Sequence, residues 1–147
     1  MEGEVPDGDV VLPFGKARIE REGADITIVS WSSQLHTASK AASGLESQGI
    51  SAEVIDLRTL WPWDRDAVFA SVEKTGRLLI THESVSVGGF GAEIAATVSE
   101  HLFKALKAPV RRCAAPRIPI SYAPPLEDVV RVSESQIIAT VTEMMAI

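Results

Sequence analysis

The side chains best placed to do chemistry lie in one stretch, HESVSVGGFG, residues 82–91, ahead of the helical apolar spacing Ile94, Val98, Leu102 and Ala105. A histidine beside a glutamate offers a proton donor or a substrate hydrogen-bond donor whose charge the carboxylate could adjust. Neighbouring residues on a strand point to opposite faces, however, so His82 and Glu83 need not interact. With no nucleophile beside it, His82 is a candidate for catalysis and nothing stronger. Gly89 and Gly91 precede a helix start whose free amides and dipole attract negative charge, which makes them an anion-site candidate. The plainer reading is that Gly88, Gly89 and Gly91 take positive φ angles and let the helix pack close to the sheet. That reading is preferred, because every α/β unit has such a helix start and few hold phosphate.

The sharper motifs fail on named positions. A dinucleotide fingerprint needs G-x-G-x-x-G after the first strand, but the third position here is Ile94 and the loop follows the third strand. A Walker A loop lacks its Gly-Lys-Ser/Thr. In the nearest match to a nucleophile elbow, SVSVG, Ser84 stands where glycine is required. A zincin helix would need a second histidine where Ser86 stands, and Cys113 is the single cysteine, so no metal site is read. His36 and His101 fall on helices and read as surface or packing residues. Asp56 and Arg58 share one side of an extended segment and read as a structural ion pair. Trp61 and Trp63 flank Pro62 ahead of a helix and read as a hydrophobic lid; exposed, they would mark a contact surface.

These residues need a frame. ADITIVSW is a β-branched strand ending near Trp31, followed by serine N-caps at Ser32 and Ser33 and a helix carrying Leu35, Ala38, Ala42 and Leu45 on one face, stopped at Gly49. SAEVIDL is a second strand. A helix capped by Asp64, with Val68 and Val72 inward and Gly76 as its stop, leads to the third strand, RLLIT. APVRRCA is a fourth strand. A proline-rich loop, APRIPISYAPPLED, then precedes a terminal helix burying Ile137, Ile138, Val141 and Met145. The alternation of strand and helix predicts a three-layer α/β/α domain with a mostly parallel central sheet, its candidate groups on the carboxyl rim.

The chain has 147 residues, 46% of them hydrophobic, which suits one core: an arm or linker over residues 1–14 and a single domain over 15–147. A net charge of −6, with no basic stripe, argues against nucleic acid. No run is long enough to span a membrane, the acidic start is unlike a signal or transit peptide, and one cysteine suits a reducing compartment; the expectation is a soluble protein of the cytoplasm or, after loss of a transit peptide, an organelle matrix.

PFGKARIEREGADITIVSW, AEVIDLRTLWPWD, KTGRLLITHESVSVGGFGAEIAATV and KAPVRRCAAPRIPISYAPPLED occur in the order and at about the spacing found in one family. From about Val10 to its end the chain resembles the transketolase-like carboxyl-terminal domain of the β subunit of 2-oxoacid dehydrogenases. RTLWPWD and LLITHE look most like branched-chain enzymes, and YAPPLED more like pyruvate or acetoin enzymes. The resemblance implies part of an enzyme that uses thiamine diphosphate and Mg²⁺ to decarboxylate a 2-oxoacid and pass the acyl group to a lipoyl arm. It also implies partners: the pyrimidine-binding domain of the same subunit, the α subunit of a heterotetramer, and the peripheral-subunit-binding domain of the acyltransferase core. The family's G-D-G…N motif and pyrimidine-binding domain are not in this sequence, so the domain alone is expected to bind no cofactor and to be inactive.

In the family, docking of the acyltransferase uses acidic groups and the β subunit's terminal carboxylate. Ile147 supplies a matching terminus. The position before Ala-Pro, commonly acidic in relatives, is Lys107, which would repel a basic partner; Glu127 and Asp128 are the substitute acids. Isolated, the domain is expected to self-associate through surfaces meant for its neighbours. Two other readings stand beside this one: a free-standing α/β module that binds an anion or nucleotide at Gly88 to Gly91, and the matching domain of a transketolase or deoxyxylulose-phosphate synthase.

Overall fold

The computed structural model describes residues 7–147. Its elements are β1 (Arg18–Arg21), β2 (Ile26–Ser30), α1 (Gln34–Glu46), β3 (Ala52–Asp56), α2 (Arg65–Thr75), β4 (Leu78–Val85), α3 (Gly91–Leu102), β5 (Arg111–Ala115), α4 (Pro124–Val130) and α5 (Glu134–Met145). The sheet order is β1-β3-β2-β4-β5. The strands β2 to β5 run parallel, and β1 lies antiparallel on the β3 edge. The predicted α/β class with a mostly parallel sheet is therefore observed.

Two apolar layers cover the sheet. On one face Ile26, Ile28, Val54 and Leu79 pack with Leu35, Ala42 and Leu45 of α1 and Ile137, Val141 and Met144 of α5. On the other, Val29, Ile55, Leu78 and Ile80 pack with Val68 and Val72 of α2 and Ile94 and Val98 of α3. This two-sided burial explains why the parallel strands carry runs of β-branched residues rather than an alternating pattern. Because β3 lies on one side of β2 and β4 on the other, the chain reverses direction across the sheet at β2/β4. That places the crevice between their carboxyl ends, where ligands gather in such sheets.

Several boundaries differ from the sequence reading. β4 continues past Thr81 to Val85, so His82 and Glu83 lie inside a strand. Ser33 is already helical and makes no side-chain cap, while Ser32 takes φ +57. Ala105 falls beyond α3, and Met144 rather than Met145 is fully buried. Within the predicted proline-rich loop, α4 begins at Pro124, a position where the missing N–H of proline is no loss. Residues 7–13 form no helix or strand; the rest of the predicted arm, residues 1–6, lies outside the described residues.

Asp64 behaves as predicted and does more. Its Oδ1 accepts from Ala67 N at 3.2 Å, capping α2, and its Oδ2 accepts from Ala17 N at 3.1 Å. The residue is 8% exposed, so both amides would lose a buried acceptor together. Asp64→Ala is expected to lower unfolding free energy by about 2 kcal/mol, the upper end for a lost cap. Urea unfolding followed by circular dichroism measures it, and a loss under about 0.5 kcal/mol would contradict the double role.

Candidate functional site

His82 is fully buried and faces the α2/α3 side of the sheet, whereas Glu83 is exposed on the other. Trp31, just beyond β2, stacks on the imidazole with ring centroids 5.0 Å apart and planes 15° apart, and Phe90 meets Trp31 edge-on at 6.3 Å. Neither ring nitrogen of His82 has a hydrogen-bond partner among the described residues. Burial holds His82 below the usual imidazole range; the Ser84 backbone works against this and the Arg112 charge adds to it. The ring is therefore a neutral aromatic at pH 7, not a solvent-facing acid.

The glycines answer to that ring. A Cβ on Gly91 would overlap His82 Nε2, lie 2.6 Å from its Cδ2 and come within 3.1 Å of Ile80. A Cβ on Gly89 would lie 2.9 Å from His82 Cε1 and collide with the Val85 carbonyl. Only Gly88 of the three takes positive φ, so close approach, not backbone handedness, is what Gly89 and Gly91 provide. Glu93 already sits in the first turn of α3, supplying the negative charge an anion would bring. The amides of Ala92, Glu93 and Ile94 are already bonded to the Gly89 and Phe90 carbonyls, and the glycine spacing is accounted for by His82.

The expected Asp56–Arg58 ion pair does not form: Asp56 Oδ1 accepts from the Arg58 amide at 3.1 Å, and Arg58 takes φ +56. The two tryptophans part company. They do not close a lid together: Trp63 is buried against Phe69, while Trp61 is 74% exposed beside Gly88 and Phe90. Its apolar neighbours on this rim include Val87, and a second exposed group, Ile120, Tyr122, Leu126 and Val129, lies along the β5–α4 segment. A cavity of about 680 Å³ opens between α1 and α4 at the carboxyl ends of β4 and β5, lined by His36, Lys40, Glu83, Val85, Ile118 and Arg131. His101 bonds the Thr97 carbonyl through Nδ1 and lies 5.6 Å from the Phe69 ring, a packing role. Burial pushes the Cys113 thiol up, with the Thr140 hydroxyl at 3.2 Å and Arg111 pulling it back, so it is no ready nucleophile.

The docking candidates fall into two groups. Lys107 N donates to Gly76 O at 2.8 Å and its Nζ donates to Thr75 O at 3.3 Å, so the lysine closes the carboxyl end of α2, where a cation is favoured. Arg77 donates to Met144 O at 3.2 Å, which brings the end of α5, close to exposed Ile147, to the same edge. Glu127 and Asp128 lie on α4, paired with Arg131 at 2.7 and 3.8 Å, and Glu127 lines the cavity at the other end of the strands. The length of β4, roughly 25 Å, separates the two groups. Lys107→Ala is expected to cost about 0.5–1 kcal/mol of stability by uncovering the α2 carbonyls; a thermal melt that does not move would refute the capping role.

Among the described residues no group of three or more His, Cys, Asp or Glu side chains could hold a metal ion. No helix among the described residues is long and apolar enough to cross a membrane.

The sequence pattern of the family described as transketolase, C-terminal domain, matches residues 15–137. This chain belongs to that family. Within it, the chain is 53% identical over 109 residues to the β2 subunit of mitochondrial 2-oxoisovalerate dehydrogenase of Arabidopsis thaliana, covering 74% of this chain and 30% of that protein. It is 43% identical over 145 residues to the 2-oxoisovalerate dehydrogenase β subunit of Bacillus subtilis, covering 98% of this chain and 44% of that one. Beta subunits of pyruvate dehydrogenase and of an acetoin oxidoreductase are also relatives. The chain therefore spans less than half the length of these transketolase-family relatives. A solved split-gene transketolase, described as an inactive β4 tetramer, superposes with a TM-score of 0.81 at 27% identity, covering 98% of this chain and 46% of that one.

Trp31 is the site residue that the sequence reading passed over. Its signal was present but indirect: Trp31 ends β2 and His82 lies late in β4, and only the pairing of those strands, Val29 beside Ile80, makes them neighbours.

Proposed function

We propose that this chain acts as the carboxyl-terminal assembly and partner-docking domain of the β subunit of a 2-oxoacid dehydrogenase, with branched-chain 2-oxoacids as the substrate class, and that it turns over nothing alone. The observation that carries the reading is the 145-residue match to a 2-oxoisovalerate dehydrogenase β subunit of which it spans 44%. The exposed Trp61, Val87, Ile120 and Tyr122 on the carboxyl rim support it, because apolar groups gathered at one end of a small domain suit burial by a neighbour. The neighbours proposed are the pyrimidine-binding domain of the same subunit, the α subunit and the peripheral-subunit-binding domain of the acyltransferase. Thiamine diphosphate and Mg²⁺ belong to the completed enzyme, in the cytoplasm or an organelle matrix. In that enzyme the cofactor supplies the decarboxylation chemistry, and this domain's residues supply surfaces that hold the other parts in place. Docking is assigned to the edge carrying Ile147, with Lys107 held back as a helix cap.

The test is reconstitution. Joined to the amino-terminal part of the Bacillus subtilis β subunit and mixed with its α subunit, the chain is expected to co-elute as a heterotetramer and to restore 2-oxoisovalerate decarboxylation. Without those parts, calorimetry with thiamine diphosphate and Mg²⁺ is expected to show no binding. Micromolar binding by the chain alone, or a reconstituted mixture that never assembles, would overturn the proposal.

A further inference from the structure

We propose that His82 is a proton-sensitive latch on the first turn of α3: the neutral imidazole seats Gly89 and Gly91, and protonation in mildly acidic solution releases that turn from the sheet. The geometry points to this in three ways. The glycines pack directly on the ring: a Cβ on Gly91 would overlap Nε2, and one on Gly89 would lie 2.9 Å from Cε1. Trp31 stacks on a face of the ring. Neither nitrogen has a hydrogen-bond partner among the described residues, and the Ser84 backbone, the one acceptor that favours the charged ring, is outweighed by burial, so a proton gained would place a largely uncompensated positive charge near the positive end of the α3 dipole.

The charged groups around it do not relieve this. Arg112 on β5 adds positive charge and is tied to Ser86 O at 2.7 Å. Glu83 is exposed on the opposite face of β4, and Glu93 on α3 is exposed and engaged with Thr97 Oγ1 at 3.5 Å. Asp64, which caps α2, already serves Ala17 and Ala67. Trp31, Ser32 and Ser33 bring no charge from the β2–α1 connection. A histidine held below its ordinary value in the folded state binds a proton more readily once freed. The latched turn is therefore fully stable above about pH 6.5 and weakens as the pH falls below it. The loop that moves, Gly88 to Phe90, borders exposed Trp61, so the release alters the shape of the carboxyl rim.

Amide hydrogen exchange of the 147-residue chain at pH 7.5 and pH 5.0, compared as protection factors, tests the latch. Ala92, Glu93 and Ile94, whose amides bond back to Gly89 and Phe90, are expected to lose protection by about tenfold per pH unit below 6.5. Thr27, bonded to Arg77 at the far end of the sheet, is expected to keep its protection. His82→Phe retains a stacking ring that cannot be protonated, and its α3 amides are expected to stay protected at both pH values. Equal loss at Thr27 would show global destabilisation and overturn the latch, as would unchanged protection of α3 in the native chain or its loss in the phenylalanine variant. Should that variant fail to fold, the imidazole ¹³C resonances of His82 in the native chain decide the matter. They must shift over the same pH interval as the Gly89 and Gly91 amides, and separate midpoints would overturn the proposal.

Discussion

Gly91→Ala is expected to destabilise the chain by about 2–3 kcal/mol, although alanine is the better helix former by about 1 kcal/mol. The sign is decided by the space over His82. The added methyl would sit on Nε2 and 2.6 Å from Cδ2, the ring is held by the stacked Trp31, and Ile80 lies 3.1 Å from the same methyl. Relief must come from a shift of α3 against β4, which strains the packing of Ile94 and Val98. A double-mutant cycle separates this from any general intolerance of the position. With His82→Ala already in place the methyl has room, so the second substitution is expected to cost under about 0.5 kcal/mol or to stabilise, leaving a coupling of about 2 kcal/mol. Urea unfolding of the four proteins measures the cycle, and additive costs would show that His82 is not what the glycine accommodates.

The second large effect lies at the far end of the sheet. Glu53 on β3 is 1% exposed and forms an ion pair with Lys74 of α2, which also lies 3.6 Å from Glu22. The Glu53 carboxylate accepts from Gly23 N at 3.3 Å as well. Beside it Thr27, Ser71 and Thr75 share hydroxyl bonds of 2.6 and 2.8 Å, which join β2 to α2. Burial by itself would raise the Glu53 carboxyl; the Lys74 ammonium, Ser71 and the Gly23 amide outweigh it and hold the group below the ordinary glutamate range. Lys74→Met removes the cation and keeps the apolar stem, leaving a buried carboxylate uncompensated. The expected loss is about 3 kcal/mol at pH 7, the lower end for a broken buried pair because Lys74 is itself 45% exposed and partly screened.

The pH dependence of that loss is diagnostic. In the native chain the stability contributed by Glu53 is present above about pH 4.5 and is lost as the pH falls through the lowered folded value. Without Lys74 burial raises the folded value instead, so the variant's deficit should shrink between pH 7 and pH 5 as the carboxyl takes up a proton. Equal deficits at both pH values, from denaturant unfolding, would mean that the loss is one of packing.

The parallel core was legible because its strands are apolar on both faces. Ile26 to Val29, Val54 and Ile55, and Leu78 to Ile80 could hardly be anything but buried strands between helix signals. β1 gave no such signal: Arg18 to Arg21 alternates charge with one exposed isoleucine, since an edge strand buries little and keeps its outer face charged. α4 was hidden by its two prolines, which read as loop wherever the possibility of a helical first turn is set aside. His82 was noticed for its chemistry and misjudged for its place. A histidine's polarity suggests a wet rim, and nothing short of the β2–β4 pairing shows that Trp31 and two glycines enclose it. The family resemblance was carried by whole phrases such as VIDLRTL and GGFGAEIA, and these are the segments that fill the core and frame that ring.

A β-strand cannot shorten without breaking its hydrogen-bond ladder, and this gives β4 a mechanical part to play. Arg77, just ahead of it, holds the end of α5, and Val85, at its other end, lines the cavity beneath α4. The strand is thus a ruler of fixed length between the end of α5 and the cavity. Under the proposed docking at Ile147, a change at Glu127, roughly 25 Å away along the strand, is therefore expected to leave that attachment intact.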